Sequence, residues 1–104
     1  MRYAARKDAN HADVVTALRD AGASVIDTSR MGSGFPDLII GYAGKTMLME
    51  IKNTQTSYGK RGLNDNQVRW RDAWLGGPYS VVDGCESAIR ALLTLEQGKD
   101  NGIR

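Results

Sequence analysis

Apolar positions recur at helical spacing near both ends of the chain and alternate with polar ones in its middle, so the pattern by itself divides the sequence. Val14, Val15, Leu18 and Ala21 fall on one face of a first helix that Asp8 or Asn10 can cap and Gly22 ends. Residues 24–28 (SVIDT) read as a short strand, and residues 30–36 (RMGSGFP) hold too much glycine for regular structure and read as a loop. DLIIGY (37–42) and TMLMEIK (46–52) are two β-prone runs joined by Ala43, Gly44 and Lys45, a connection suited to an antiparallel hairpin. Residues 53–63 (NTQTSYGKRGL) have no period and are expected to form an exposed, mobile loop.

Asn64 followed by Gln67 has the form of a capping box and opens a helix through Val68, Trp70, Trp74 and Leu75 that Gly76-Gly77-Pro78 stops. YSVV (79–82) is a strand, and Asp83 with Glu86 repeats the capping pattern before a last helix with Ala88, Ile89, Leu92 and Leu93 on its apolar face. That helix ends near Gly98, and residues 97–104 are expected to be a frayed tail. The order helix, three strands, helix, strand, helix predicts an α/β fold with a mixed sheet flanked by helices. A chain of 104 residues is the length of one domain, residues 1–104, and it contains no internal repeat.

Composition narrows the class of function. No apolar run approaches the roughly 20 residues of a membrane span, and the first fifteen residues are too polar for a secretory signal, so no membrane partner is expected. Cys85 is the only cysteine, which excludes an internal disulfide and a cysteine-based metal cage and suits the cytoplasm. The net charge of +2 is uninformative, but it is unevenly spread: residues 45–71 carry Lys45, Lys52, Lys60, Arg61, Arg69 and Arg71 against Glu50 and Asp65 alone. That stretch is where a polyanion would bind, because phosphate contacts supply most non-specific affinity for nucleic acid. A solvated basic face explains the same charges equally well.

Charge in the hairpin is harder to dismiss. Along TMLMEIK, Glu50 and Lys52 share a face with Leu48, while Met47, Met49 and Ile51 share the other. Charged groups at the end of so apolar a strand need each other, a metal or a ligand. Asp37 opens the partner strand. Two carboxylates side by side repel, and a divalent cation between them removes that cost and supplies a Lewis acid; a lysine two residues on can neutralise developing negative charge or orient a water. These are the requirements of phosphodiester hydrolysis, with Mg²⁺ or Mn²⁺ as the cation and no organic cofactor. No phosphate-binding G-x-x-x-x-G-K-[ST] loop and no H-E-x-x-H pair competes, and a single histidine limits any histidine-based scheme.

Gly34-Phe35-Pro36-Asp37, twelve intervening residues, then Glu50-Ile51-Lys52 resembles the PD-(D/E)-x-K nuclease superfamily, and within it the virus-type replication-repair nuclease (VRR-NUC) branch. Leu63-Asn64-Asp65-Asn66-Gln67 is similar to that branch's leucine-x-x-x-glutamine helix start. The resemblance implies a restriction-endonuclease-like α-β-β-β-α-β core, with Asp37, Glu50 and the Ile51 backbone carbonyl as metal ligands and Lys52 as the catalytic lysine. It further implies a small stand-alone phage or prophage type of protein, homodimeric, cutting branched DNA such as four-way junctions in the cytoplasm of a bacterial host. The branch often has a glutamate or glutamine on the first helix near the metal, where this chain has His11, a poorer Mg²⁺ ligand than a carboxylate.

Around that centre, Gln67 and Ser33 are candidates for positioning water or phosphate. Lys60, Arg61, Arg69 and Arg71 are candidates for DNA backbone contacts, and Tyr58 for stacking on a base. Trp70 and Trp74, four apart, face the same way and are expected in the core or at a dimer contact. The alternatives are a nucleic-acid-binding module without catalysis, or a restriction-type or RNA nuclease with the same site.

Overall fold

A computed structural model describes residues 9–98. Eight elements follow in order: α1 (Ala9–Asp20), β1 (Ser24–Asp27), β2 (Leu38–Tyr42), β3 (Lys45–Ile51), α2 (Ser57–Lys60), α3 (Asp65–Ala73), β4 (Tyr79–Val82) and α4 (Cys85–Glu96). The strands form one mixed sheet in the order β1-β2-β3-β4, antiparallel except for the parallel pair β3 and β4. The parallel pair needs a crossover, and residues 52–78, with α2 and α3, supply it.

Strand alternation divides the core. Leu38, Ile40, Met47 and Met49 lie on one face of the sheet and are buried against Val14 and Leu18 of α1 and Ala88, Leu92 and Leu95 of α4. Each such side chain stabilises the fold by roughly 1.5–3 kcal/mol relative to exposure. The other face carries Ile39, Leu48 and Glu50, and here the cover is thinner: none of the residues of α3 is fully buried. An aromatic cluster does the covering. Trp70 stacks on Trp74 with ring centroids 5.2 Å apart, meets Phe35 edge-on at 5.0 Å and lies 6.3 Å from Tyr79. Among the described residues no helix is long and apolar enough to cross a membrane.

Several boundaries differ from expectation for local reasons. The first helix already includes Ala9, so Asn10 lies inside its first turn and does not cap it; its side-chain amide donates to the Asp83 carbonyl. Asp8, the other expected cap, and residues 99–104 of the expected tail lie outside the described residues. Lys45 pairs with Tyr42, so the hairpin turn is Ala43-Gly44 alone, both at positive φ (54° and 78°) as a two-residue turn of this hand requires. The stretch 53–63, expected to lack regular structure, contains the single turn α2, and Gly59 within it lies against the Asn53 backbone where a Cβ would not fit. Before α4, Ser87 replaces Glu86 as the capping partner: the Ser87 hydroxyl donates to Asp83 Oδ1 and accepts the Asp83 N–H.

The glycine-rich loop is seated on α3. Gly34 has φ +85°, and a Cβ there would collide with the Asn66 carbonyl oxygen. Gly34→Ala therefore both strains the backbone and pushes α3 away, and it should destabilise the protein by about 1–3 kcal/mol in urea unfolding. An unchanged unfolding midpoint would show that α3 does not depend on this contact.

Candidate functional site

The start of β2 and the end of β3 meet at one end of the sheet. Leu38 pairs with Met49, and continuing that register by one residue sets Asp37 opposite Glu50 on the thinly covered face. Thr28 fixes the approach to β2: its N–H donates to the Asp37 carbonyl at 2.7 Å and its hydroxyl to the Pro36 carbonyl at 2.8 Å. Asp37 Oδ2 accepts the Ile51 N–H at 2.9 Å. Because the N–H and C=O of one strand residue point the same way, the Ile51 carbonyl is directed to the same side as Asp37.

Glu50 is 3% exposed. Its Oε2 accepts from Gln67 Nε2 at 2.8 Å and lies 3.9 Å from Lys52 Nζ, while its Oε1 is buried with no hydrogen-bond partner among the described residues. Burial, and then the charge of Asp37, push its carboxyl up to about 8, and Lys52 opposes the shift. Lys52 is itself buried, and its backbone N–H is held by the Val82 carbonyl at 2.8 Å, which ties the lysine to the sheet. Gln67 reaches Glu50 because both halves of the expected capping box form: Asn64 Oδ1 accepts the Gln67 N–H, and Gln67 Oε1 accepts the Asn64 N–H, each at 2.9 Å. The cap thus fixes the Gln67 amide with its nitrogen toward the carboxylate.

Asp37, Glu50, Ile51, Lys52 and Gln67 are accordingly brought together. His11 is buried, but its Nε2 lies 3.1 Å from Asp27 Oδ2, and Asp27 Oδ1 accepts from the Ser29 N–H and hydroxyl. Asp27 pairs with Leu38, so alternation places it on the opposite face of the sheet from Asp37 and Glu50. Ser33 is exposed in the glycine-rich loop at φ +56°. Lys60, Arg61 and Arg69 are exposed, Arg69 bonded to Asn66; Arg71 is paired with Asp72 at 3.0 Å; the Tyr58 side chain lies outside the described part. Trp70 is half-buried in the aromatic cluster, and Trp74 is at its exposed margin.

Thr28 and Tyr79 are the site neighbours that sequence reasoning missed. Thr28 ends a strand, where threonine is common for its β preference alone. Tyr79 opens a four-residue strand whose alternation with a carboxylate on β3 depends on the register.

No cluster of three or more His, Cys, Asp or Glu side chains forms among the described residues. The donor set available is two carboxylates and a backbone carbonyl, all hard oxygens. It fits Mg²⁺ or Mn²⁺: the unpartnered Glu50 Oε1 and the mutual repulsion of the two acids are what a divalent cation would satisfy. In comparisons with protein-family models, curated proteins and solved structures, this chain matches none of them.

Proposed function

We propose that the chain is a Mg²⁺- or Mn²⁺-dependent DNA endonuclease of the PD-(D/E)-x-K superfamily, VRR-NUC type. The observation that carries this reading is the buried, unpartnered Glu50 Oε1 beside Asp37 and Lys52. Asp37, Glu50 and the Ile51 carbonyl would hold the cation, which when bound supplies a Lewis acid for the scissile phosphate and lowers the pKa of water. The chain's own residues do the rest. Gln67 fixes the orientation of Glu50, Thr28 fixes the Asp37 backbone, and the Lys52 ammonium holds positive charge where negative charge develops as water attacks phosphorus and the bond to the leaving oxygen breaks.

DNA is the favoured substrate on the resemblance and on the exposed bases Lys60, Arg61 and Arg69. A two-fold dimer acting on branched DNA rests on the resemblance, and Leu75, 94% exposed, is an apolar side chain that a second copy would cover. Four-way junctions, flaps, linear duplex and single strands incubated with Mg²⁺ should be cut with preference for the branched forms, and chelation should stop cutting. Equal rates on all four would remove the junction preference, and metal-independent binding with no cleavage would replace the nuclease by a binding module.

A further inference from the structure

Two buried side-chain polar atoms lack a hydrogen-bond partner among the described residues: Glu50 Oε1 and the Tyr79 hydroxyl. They belong to one place. Tyr79 pairs with Leu48 in the parallel register and Val81 with Glu50, so Tyr79, Leu48 and Glu50 project from the same face of adjacent strands. The charges of Glu50, Asp37 and Arg71 all act on the hydroxyl, which therefore sits within electrostatic reach of both carboxylates and of a cation on α3. The Trp70 ring lies 6.3 Å from that of Tyr79. An unpaired buried hydroxyl is destabilising, which makes it an odd choice where phenylalanine would pack as well.

The hydroxyl is a neutral donor at ordinary pH, as any phenol is. With no partner of its own among the described residues, it is free of the ion pairing that ties Lys52 to Glu50. We propose that Tyr79 contacts the substrate, its hydroxyl donating a hydrogen bond to a non-bridging oxygen of the phosphodiester seated at Asp37 and Glu50, an inference that rests on the nuclease reading.

Tyr79→Phe removes the hydroxyl and little else. With a four-way-junction oligonucleotide at saturating Mg²⁺, kcat should fall about 10- to 100-fold, the scale of one lost donor to a developing anion. Binding of the same oligonucleotide in Ca²⁺ should weaken by about tenfold, as for a hydrogen bond to a charged group. The Mg²⁺ concentration for half-maximal rate should not move, and Tm without DNA should be unchanged or higher because an unpaired donor is gone. Unchanged kcat and Ca²⁺ affinity would overturn the assignment, as would a Mg²⁺ requirement that shifts in step with kcat, since Tyr79 would then act through Glu50. A wild-type protein that binds the oligonucleotide but cuts nothing would overturn the nuclease reading instead, and the binding comparison would still decide for or against Tyr79.

Discussion

Glu50→Gln should abolish metal-dependent cleavage and, in the absence of metal, yield a protein more stable than the wild type at neutral pH. The first effect follows from loss of a carboxylate that both holds the cation and faces the reacting centre, and on the order of a thousandfold is the expected fall in rate. The second follows from the cost of burying Glu50 beside Asp37. An unfolded chain releases the Glu50 proton near 4.5, whereas the native protein retains it to about 8. Between those values the native state binds more protons than the unfolded one, so wild-type stability falls as pH rises through the window and levels off above about 8. At about 1.4 kcal/mol per unit the loss amounts to a few kcal/mol.

Glutamine carries no such titration. Its amide can still accept from Gln67, so the variant's stability should be nearly flat over the same window and should exceed that of the wild type from about pH 6 upward. A divalent cation should act on only one of the two proteins. It should raise the Tm of the wild type at pH 7–8, with a proton released on binding, and leave the variant where it was. Thermal melts from pH 5 to 9, with and without Mn²⁺, check each part. A variant less stable than the wild type at pH 8 would mean that burial of the Glu50 charge is not costly, and a wild-type Tm indifferent to Mn²⁺ would mean that Asp37 and Glu50 do not share a cation.

Much of this arrangement was legible in the sequence because local rules and tertiary packing agree there. The β2–β3 hairpin reads from alternation, and alternation already puts Glu50 and Lys52 on the face away from Met47 and Met49. The Asn64 and Gln67 capping box was equally readable, since its two hydrogen bonds are closed within four residues. What a pattern cannot give is partnership across the fold. His11 suits a metal site by its place on the first helix, yet Asp27 holds it on the other side of the sheet. Gln67 could have been a cap alone, and its reach to Glu50 also needs α3 seated against the glycine-rich loop, where Gly34 meets the Asn66 backbone. The parallel register of β3 and β4, which brings Tyr79 toward the carboxylates, is set by a crossover of 27 residues (52–78), and no short-range signal specifies it.

Lys52→Met should separate metal binding from catalysis. Methionine approximates the length and apolar stem of lysine, and with the side chain buried and the backbone held by Val82 the fold should persist. Cleavage at saturating metal should fall by about 10²–10³-fold, the loss expected when a fixed positive group is withdrawn from developing negative charge in a water-poor site. Metal binding should survive with a shifted pH dependence. Lys52 is the group that holds the Glu50 carboxyl down against burial and Asp37, so its removal raises the proton's hold on Glu50 further, and the pH at which Mn²⁺ begins to raise Tm should move upward. Lys52→Arg tests which property of the lysine matters. Arginine restores the charge and hence the metal pH profile, but its planar guanidinium cannot occupy the place of a compact ammonium, so cleavage should recover little. Wild-type rates in Lys52→Met at saturating metal would place the catalytic positive charge elsewhere, and full recovery in Lys52→Arg would reduce the role of Lys52 to setting the protonation of Glu50.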